Sequence, residues 1–167
     1  MSLALRAVEL GDGDALHAIF TEPGVKQYLF DDILLSRAGS QAHVEAARNE
    51  GGWVICLDGA IVSLVSLRPT GADRELMIVV SGRCWGRGVA FEAARSALHH
   101  GFDVLKLDGI LATVDLPNER SHRLMNRLGF VVSGEGDGPK HRARKYQLTR
   151  SNRSGRGGIA AVERTNL

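Results

Sequence analysis

The chain has 167 residues, of which 44% are hydrophobic and 24% charged, with a formal net charge of +2. That length fits one domain with a core of its own, and the charge is too small to imply a nucleic-acid partner, although it suits an anionic small molecule. Charge arrives within six residues of the start, "MSLALR", and no long apolar run follows, so no signal peptide, membrane span or membrane partner is expected and the location is read as cytoplasmic. Cys56 and Cys84 form no framework and have no metal-ligand spacing. They read as free thiols; the histidines are scattered, and no metal is expected.

Residues 3–10, "LALRAVEL", alternate as an opening strand. "GDGDALHAIF" reads as a helix burying Leu16, Ile19 and Phe20, with Asp12 or Asp14 as its cap. Pro23 and Gly24 break it, "VKQYLFDD" is a further helical turn, and a more polar helix runs up to Gly51 and Gly52. The period then changes. "WVICLDGAIVSLVSLRP" is two apolar runs joined at Asp58-Gly59, a hairpin signal, and "RELMIVVSG" is a third strand. A helix starts near Val89 with Ala90, Ala94, Ala97, Leu98 and Phe102 on one stripe. "DGILATVD" reads as a central buried strand. The next helix, "NERSHRLMNRLGF", places Leu124, Met125 and Leu128 on one face and Gly129 at the C-cap. "FVVSGEGDG" and "ARKYQLTR" close the fold as strands. The order predicts a single α/β domain over residues 1–150, with a mixed, mostly antiparallel sheet flanked by helices and one later helical crossover. Residues 151–167 lose periodicity and read as a flexible tail, with a short helical turn at "IAAVE".

The stretch "RCWGRG", 83–88, allows two explanations. It is a turn that only glycine can make, or a backbone held open for an anion. A helix N-terminus presents unpaired N–H groups and the positive end of the dipole, Gly86 and Gly88 would let a phosphate approach them, and Arg83 and Arg87 add charge at the rim. On sequence grounds, normal ligand binding by a folded Gly88→Val protein would favour the turn. Neither common phosphate motif fits: no Gly-Lys-Ser/Thr follows, and Phe91 stands where a dinucleotide fingerprint needs its third glycine.

Arg83-Cys84-Trp85-Gly86-Arg87-Gly88 resembles the acyl-CoA-binding motif Arg/Gln-x-x-Gly-x-Gly/Ala of the GNAT (Gcn5-related) N-acetyltransferases. "NERSHRLMNRLGF" resembles that family's Asn-x-x-Ser-x-x-Leu/Val-x-x-x-Leu-Gly-Phe helix, and the Trp-Gly-x-Gly form looks most like the RimJ/RimL-like branch. The resemblance implies the GNAT fold, acetyl-CoA bound at splayed middle strands, and direct attack of an amine on the thioester. It implies that backbone groups of Ile78, Val79 and Val80 hold pantetheine and that the N–H groups of Trp85, Gly86, Arg87, Gly88, Val89 and Ala90 hold the pyrophosphate. An N–H near Val79 would face the developing oxyanion. Asn118 would bond the pantetheine arm or serve as a helix N-cap, and Ser121 would reach the thioester sulfur. The position of the family's tyrosine is Met125, so Ser121 becomes the candidate proton donor. Glu75 is the candidate base, or a ligand for a cationic acceptor, or a solvated strand-end carboxylate beside Asp73 and Arg74.

Tyr28 and Phe30 with Asp31 and Asp32 suit a cationic amine. Acceptors in falling order are a protein or peptide N-terminus, a small amine such as a polyamine, and an aminoglycoside. Two other readings stay open: a non-catalytic acyl-CoA sensor or interaction module, and RNA binding through Arg142, Arg144, Lys145, Arg150, Arg153 and Arg156. The strands after Gly129 and the tail are the candidate surface for a homodimer.

Overall fold

The computed structural model describes residues 3–29, 35–138 and 140–154. The N-terminal layer comprises β1 (Leu3–Ala7), α1 (Gly13–Phe20), α2 (Pro23–Lys26) and α3 (Arg37–Asn49). Three antiparallel strands follow, β2 (Trp53–Leu57), β3 (Ala60–Thr70) and β4 (Asp73–Val80). Then come α4 (Val89–His99), extended by a π-helical stretch His100–Val104, and β5 (Gly109–Asp115). The chain continues through α5 (Glu119–Leu128), β6 (Val131–Asp137), β7 (Arg142–Thr149) and α6 (Arg150–Ser154).

The seven strands form one sheet in the order β1-β2-β3-β4-β5-β7-β6. Among the described residues its one parallel neighbour pair is β4 and β5, joined through α4 as the helical crossover predicts. Asp58 and Gly59 both take positive φ (49° and 83°), so the β2–β3 turn twists with its strands. Each sheet face has its own core. Leu16, Phe20 and Val44 of the N-terminal helices pack on Val54, Leu64 and Val79. On the other face Ala93, Ala94 and Ala97 bring α4 close to the sheet against Leu67, Leu76 and Ile110. Ala93 takes the inward place expected of Ala90, which is only half-buried. Burial in β5 alternates, with Ile110, Ala112 and Val114 inside and Thr113 exposed, because α5 covers one face only.

Asp12 stands at the α1 N-cap but makes no cap bond. Its carboxylate instead accepts from Arg6 Nη1 and Nη2 at 2.8 and 2.7 Å and from the Glu9 N–H at 2.8 Å. Burial alone would raise the Asp12 pKa; the Arg6 and Glu9 hydrogen bonds and the Arg6 charge outweigh it and hold the group below the usual carboxylate range. A depressed folded pKa contributes stability that is present above the unfolded value, near ~3.9, and is lost as pH falls through the folded one. Asp12→Asn is expected to cost about 2 kcal/mol at neutral pH, the scale of a hydrogen bond to a charged group. It should also flatten the loss of stability below about pH 4, read by urea unfolding across pH. An unchanged acid limb would remove the pair from that role.

Four cations of the basic run near the C-terminus have partners within the fold. Arg144 and Arg142 pair with Glu135, Arg153 with Asp103, and Arg150 donates to the carbonyls of Phe102 and Leu107 at 2.8 Å. Arg150 and Arg153 thereby tie α6, at the start of the segment read as a tail, to the stretch 102–107. Arg156, "IAAVE" and the remainder of the tail lie outside the described residues. Cys56 and Cys84 are unpaired. Among the described residues no helix is long and apolar enough to cross a membrane, and no three His, Cys, Asp or Glu side chains cluster as metal ligands.

Candidate active site

β4 and β5 meet at one register pair, Glu75 with Leu111, and diverge beyond it. The wedge opens into a cavity of about 410 Å³ whose walls are the end of β4, the loop to α4, α5 and the α2 region. Ile78, Val79 and Val80 all line it. Their backbone groups do not all face it. Ser81 N–H bonds Val62 of β3 at 2.9 Å, and antiparallel alternation then turns Val79 toward β3 and Ile78 and Val80 toward the wedge. The Val80 carbonyl is occupied by the Trp85 indole N–H at 3.1 Å. Both polar groups of Ile78 and the N–H of Val80 remain directed to the cavity, whereas the backbone of Val79, near which a donor was expected, turns to β3.

The loop supplies fewer N–H groups than expected. The N–H of Trp85 closes a 3-10 turn onto Gly82, and that of Arg87 bonds Cys84. Gly86, Gly88, Val89 and Ala90 line the cavity. Gly86 and Gly88 have φ of 74° and 83°, and an added Cβ at either would meet nothing within 4 Å. The turn therefore demands glycine, and both glycines line the cavity. Arg83 and Arg87 do not line it. Arg83 points to the Ile61 carbonyl of β3 at 3.5 Å.

On the opposite wall Asn118 Oδ1 accepts from the Ser121 N–H at 3.3 Å, which makes Asn118 the N-cap of α5 while it also lines the cavity beside Ser121. Met125 is buried in the core and takes no part. Glu75 sits at the joined end of β4, its carboxylate accepting from Arg68 at 2.9 Å, and does not line the cavity. Three residues of strand, about 10 Å, separate it from Ile78, beyond direct proton-transfer reach. Tyr28 and Leu29 line the far end, where the Tyr28 hydroxyl donates to the Pro117 carbonyl at 3.3 Å. Phe30, Asp31 and Asp32 lie outside the described residues.

Residues 2–131 match the family described as Acetyltransferase (GNAT) domain. The chain belongs to the GNAT acetyltransferase family. It is 30% identical over 146 residues, 80% of this chain and 75% of the relative, to Spermidine N(1)-acetyltransferase of Escherichia coli strain K12. It is also 27% identical to an uncharacterized N-acetyltransferase, p20, of Bacillus licheniformis, over 79% of this chain and 80% of the relative. The fold matches a GNAT acetyltransferase of Bacillus anthracis with a TM-score of 0.79 at 20% identity, over 90% of this chain and 96% of the other. A Vibrio cholerae spermidine N-acetyltransferase chimera gives 0.77 at 21%, over 93% of this chain and 100% of the other. This chain is accordingly an N-acetyltransferase acting on an amine.

Three features in and around the cavity of this acetyltransferase were not anticipated. The Trp85 ring packs on Gly24, where a Cβ would come within 2.7 Å of Cη2. Glu22 accepts from Ser81 Oγ at 2.7 Å and from the Gly82 N–H at 2.6 Å, tying α2 to the loop. Arg120, Arg123 and Arg127 of α5 all line the cavity; Arg120 lies 3.3 Å over the Trp85 ring and Arg127 4.0 Å over Phe91. Their i, i+3, i+7 spacing was visible in the chain, but a charged helix stripe reads equally as a solvated face.

Proposed function

We propose that this acetyltransferase moves the acetyl group of acetyl-CoA to the primary amine of a small aliphatic polycation, a polyamine of the spermidine type. The observation that carries the donor site is one cavity lined by the end of β4, the glycine loop, the first turn of α4 and α5, on the side where β4 has left its single register pair with β5. Pantetheine fits along the cleft-facing groups of Ile78 and Val80 and the amide of Asn118. The pyrophosphate fits the N–H groups of Gly86, Gly88, Val89 and Ala90, at the positive end of α4. Acetyl-CoA brings an activated thioester; the protein orients it and manages charge and protons.

The N–H groups of Ile78 and Val80 point to where negative charge gathers on the carbonyl oxygen. Ser121, whose own N–H is held by Asn118, is the donor for the departing thiolate. Glu75 enters this reading only through a chain of waters. The amine enters over Tyr28 and Leu29, where an aromatic face suits an ammonium stem. The acceptor class is supported by the spermidine acetyltransferases at 30% identity, and it displaces the peptide N-terminus from first place. The Trp-Gly-x-Gly loop supports the RimJ/RimL-like branch, and the unpaired thiols support a cytoplasmic setting. Exposed Val131 and Val132 on edge strand β6 support self-association along that edge.

Thiol release from acetyl-CoA tests the reading against spermidine, an N-terminal peptide and an aminoglycoside. Turnover with spermidine is expected. Turnover with the peptide alone would restore the earlier order, and tight acetyl-CoA binding without turnover on any amine would establish the sensor.

A further inference from the structure

Spacing of three and four residues puts Arg120, Arg123 and Arg127 on one face of α5, and that face is a wall of the cavity. The row runs alongside the glycine loop. Its first member is seated on Trp85, just before Gly86, and its last on Phe91, the third residue of α4. Arg123 lies between them. Among the described residues none of the three has a carboxylate within ion-pair distance, whereas Arg6, Arg68, Arg95, Arg142, Arg144 and Arg153 all do. No aspartate or glutamate among the described residues lines the cavity. Three guanidinium groups thus face a cleft whose described lining carries no carboxylate, and stacking on aromatic rings holds two of them in place without consuming their N–H donors.

The proposed donor has a fixed order of parts. Pantetheine lies along Ile78 and Val80, the pyrophosphate at Gly86 to Ala90, and the ribose with its 3′-phosphate comes next. The loop and the first turn of α4 provide N–H groups for the pyrophosphate. They leave the third phosphate, a group of nearly two negative charges, to be met by something further along the cleft. Arg127, seated at Phe91, is at that end, and Arg123 is one turn before it, about 6 Å along the axis. Resting on the acetyl-CoA reading above, we infer that Arg123 and Arg127 form a site for the ribose 3′-phosphate and make the enzyme selective for CoA over dephospho-CoA. A guanidinium offers a phosphate two parallel N–H bonds, so the pair reads the group by geometry as well as charge. Arg120, at the pantetheine end, belongs to the wall over Trp85 and contributes nothing to this selection.

The test is calorimetric titration with CoA and with dephospho-CoA, on the wild-type protein, Arg123→Gln/Arg127→Gln and Arg120→Gln. All three side chains are exposed, so the fold does not depend on them. The wild type is expected to bind CoA at least about tenfold more tightly than dephospho-CoA, a 1.4 kcal/mol difference. The double variant should bring the ratio to within about twofold while holding dephospho-CoA affinity near wild type, because the cycle isolates the arginine–phosphate coupling. Arg120→Gln should keep the wild-type ratio. A wild-type ratio near one, or a ratio that survives in the double variant, overturns the inference while leaving the acetyl-CoA site standing. Failure of both ligands to bind wild type overturns that reading and this inference with it.

Discussion

Gly88→Val is expected to weaken acetyl-CoA binding by at least about a hundredfold, while Gly59→Val, at the β2–β3 turn, leaves binding within about twofold and loses only stability. The two glycines are matched in the respect that matters. Each has φ of 83°, and each has nothing within 4 Å of the place a Cβ would occupy. A side chain there strains the backbone by roughly 1–2 kcal/mol, more for a β-branched residue, whichever glycine is replaced. They differ in setting: Gly88 lines the cavity at the start of α4, whereas Gly59 is an exposed hairpin residue that does not line it. Gly88→Val alone could not separate a turn from an anion cradle, since the positive φ makes the substitution costly in either case. The pair separates them. Equal stability losses with ligand binding lost only at position 88 assign the open side of the turn to the phosphate. Equal losses with normal binding in both would leave Gly88 as a turn residue. Thermal unfolding and calorimetric titration provide the two readings.

The elements of this fold were legible where local chemistry and tertiary packing agree. Asp58-Gly59 forms the turn its sequence demands, Gly129 caps α5 in the left-handed region with φ of 89°, and the alanine stripe of α4 lies on the sheet. The site was legible at the level of which segments converge. Ile78 to Val80, the glycine loop, Asn118 and Ser121 share one cavity. What could not be read was the destination of individual hydrogen-bonding groups. Whether the Trp85 N–H is available depends on a 3-10 turn back to Gly82, and whether Val79 faces the wedge depends on the ladder register set at Ser81 and Val62. Both are properties of the assembled backbone. The charge of the cleft was misplaced for a related reason. Arg83 and Arg87 stand next to the glycines in the chain, but Arg83 turns to Ile61, and the guanidinium groups that face the cavity come from α5, some thirty residues on. Glu75 shows the same limit: it stands on the strand that leads to the cavity, but at its one register pair with β5, three residues before Ile78, where it pairs with Arg68.

Trp85→Ala should produce the other large effect, on stability and ligand binding together. The half-buried indole joins three parts of the cleft. Its Nε1 donates to the Val80 carbonyl, its ring fills the space left by Gly24 and Gly82, and Arg120 covers its outer face. Truncation removes the packing between α2 and the loop and leaves the Val80 carbonyl without its donor, at a cost of about 3 kcal/mol for the lost ring. The same cut releases Arg120 from its seat and lets the loop move against β4, so acetyl-CoA affinity should fall at least about tenfold. Trp85→Phe distinguishes the contributions. A phenyl ring keeps much of the contact with Gly24 and a face for Arg120 but cannot bond Val80, so it should lose about 1 kcal/mol for the missing hydrogen bond plus a smaller packing term. If the indole matters to the ligand through the loop it supports, affinity should track stability across tryptophan, phenylalanine and alanine. A Trp85→Phe protein of near-wild-type stability that no longer binds acetyl-CoA would show instead that the indole N–H, by holding the Val80 carbonyl, sets the polarity of the cleft wall.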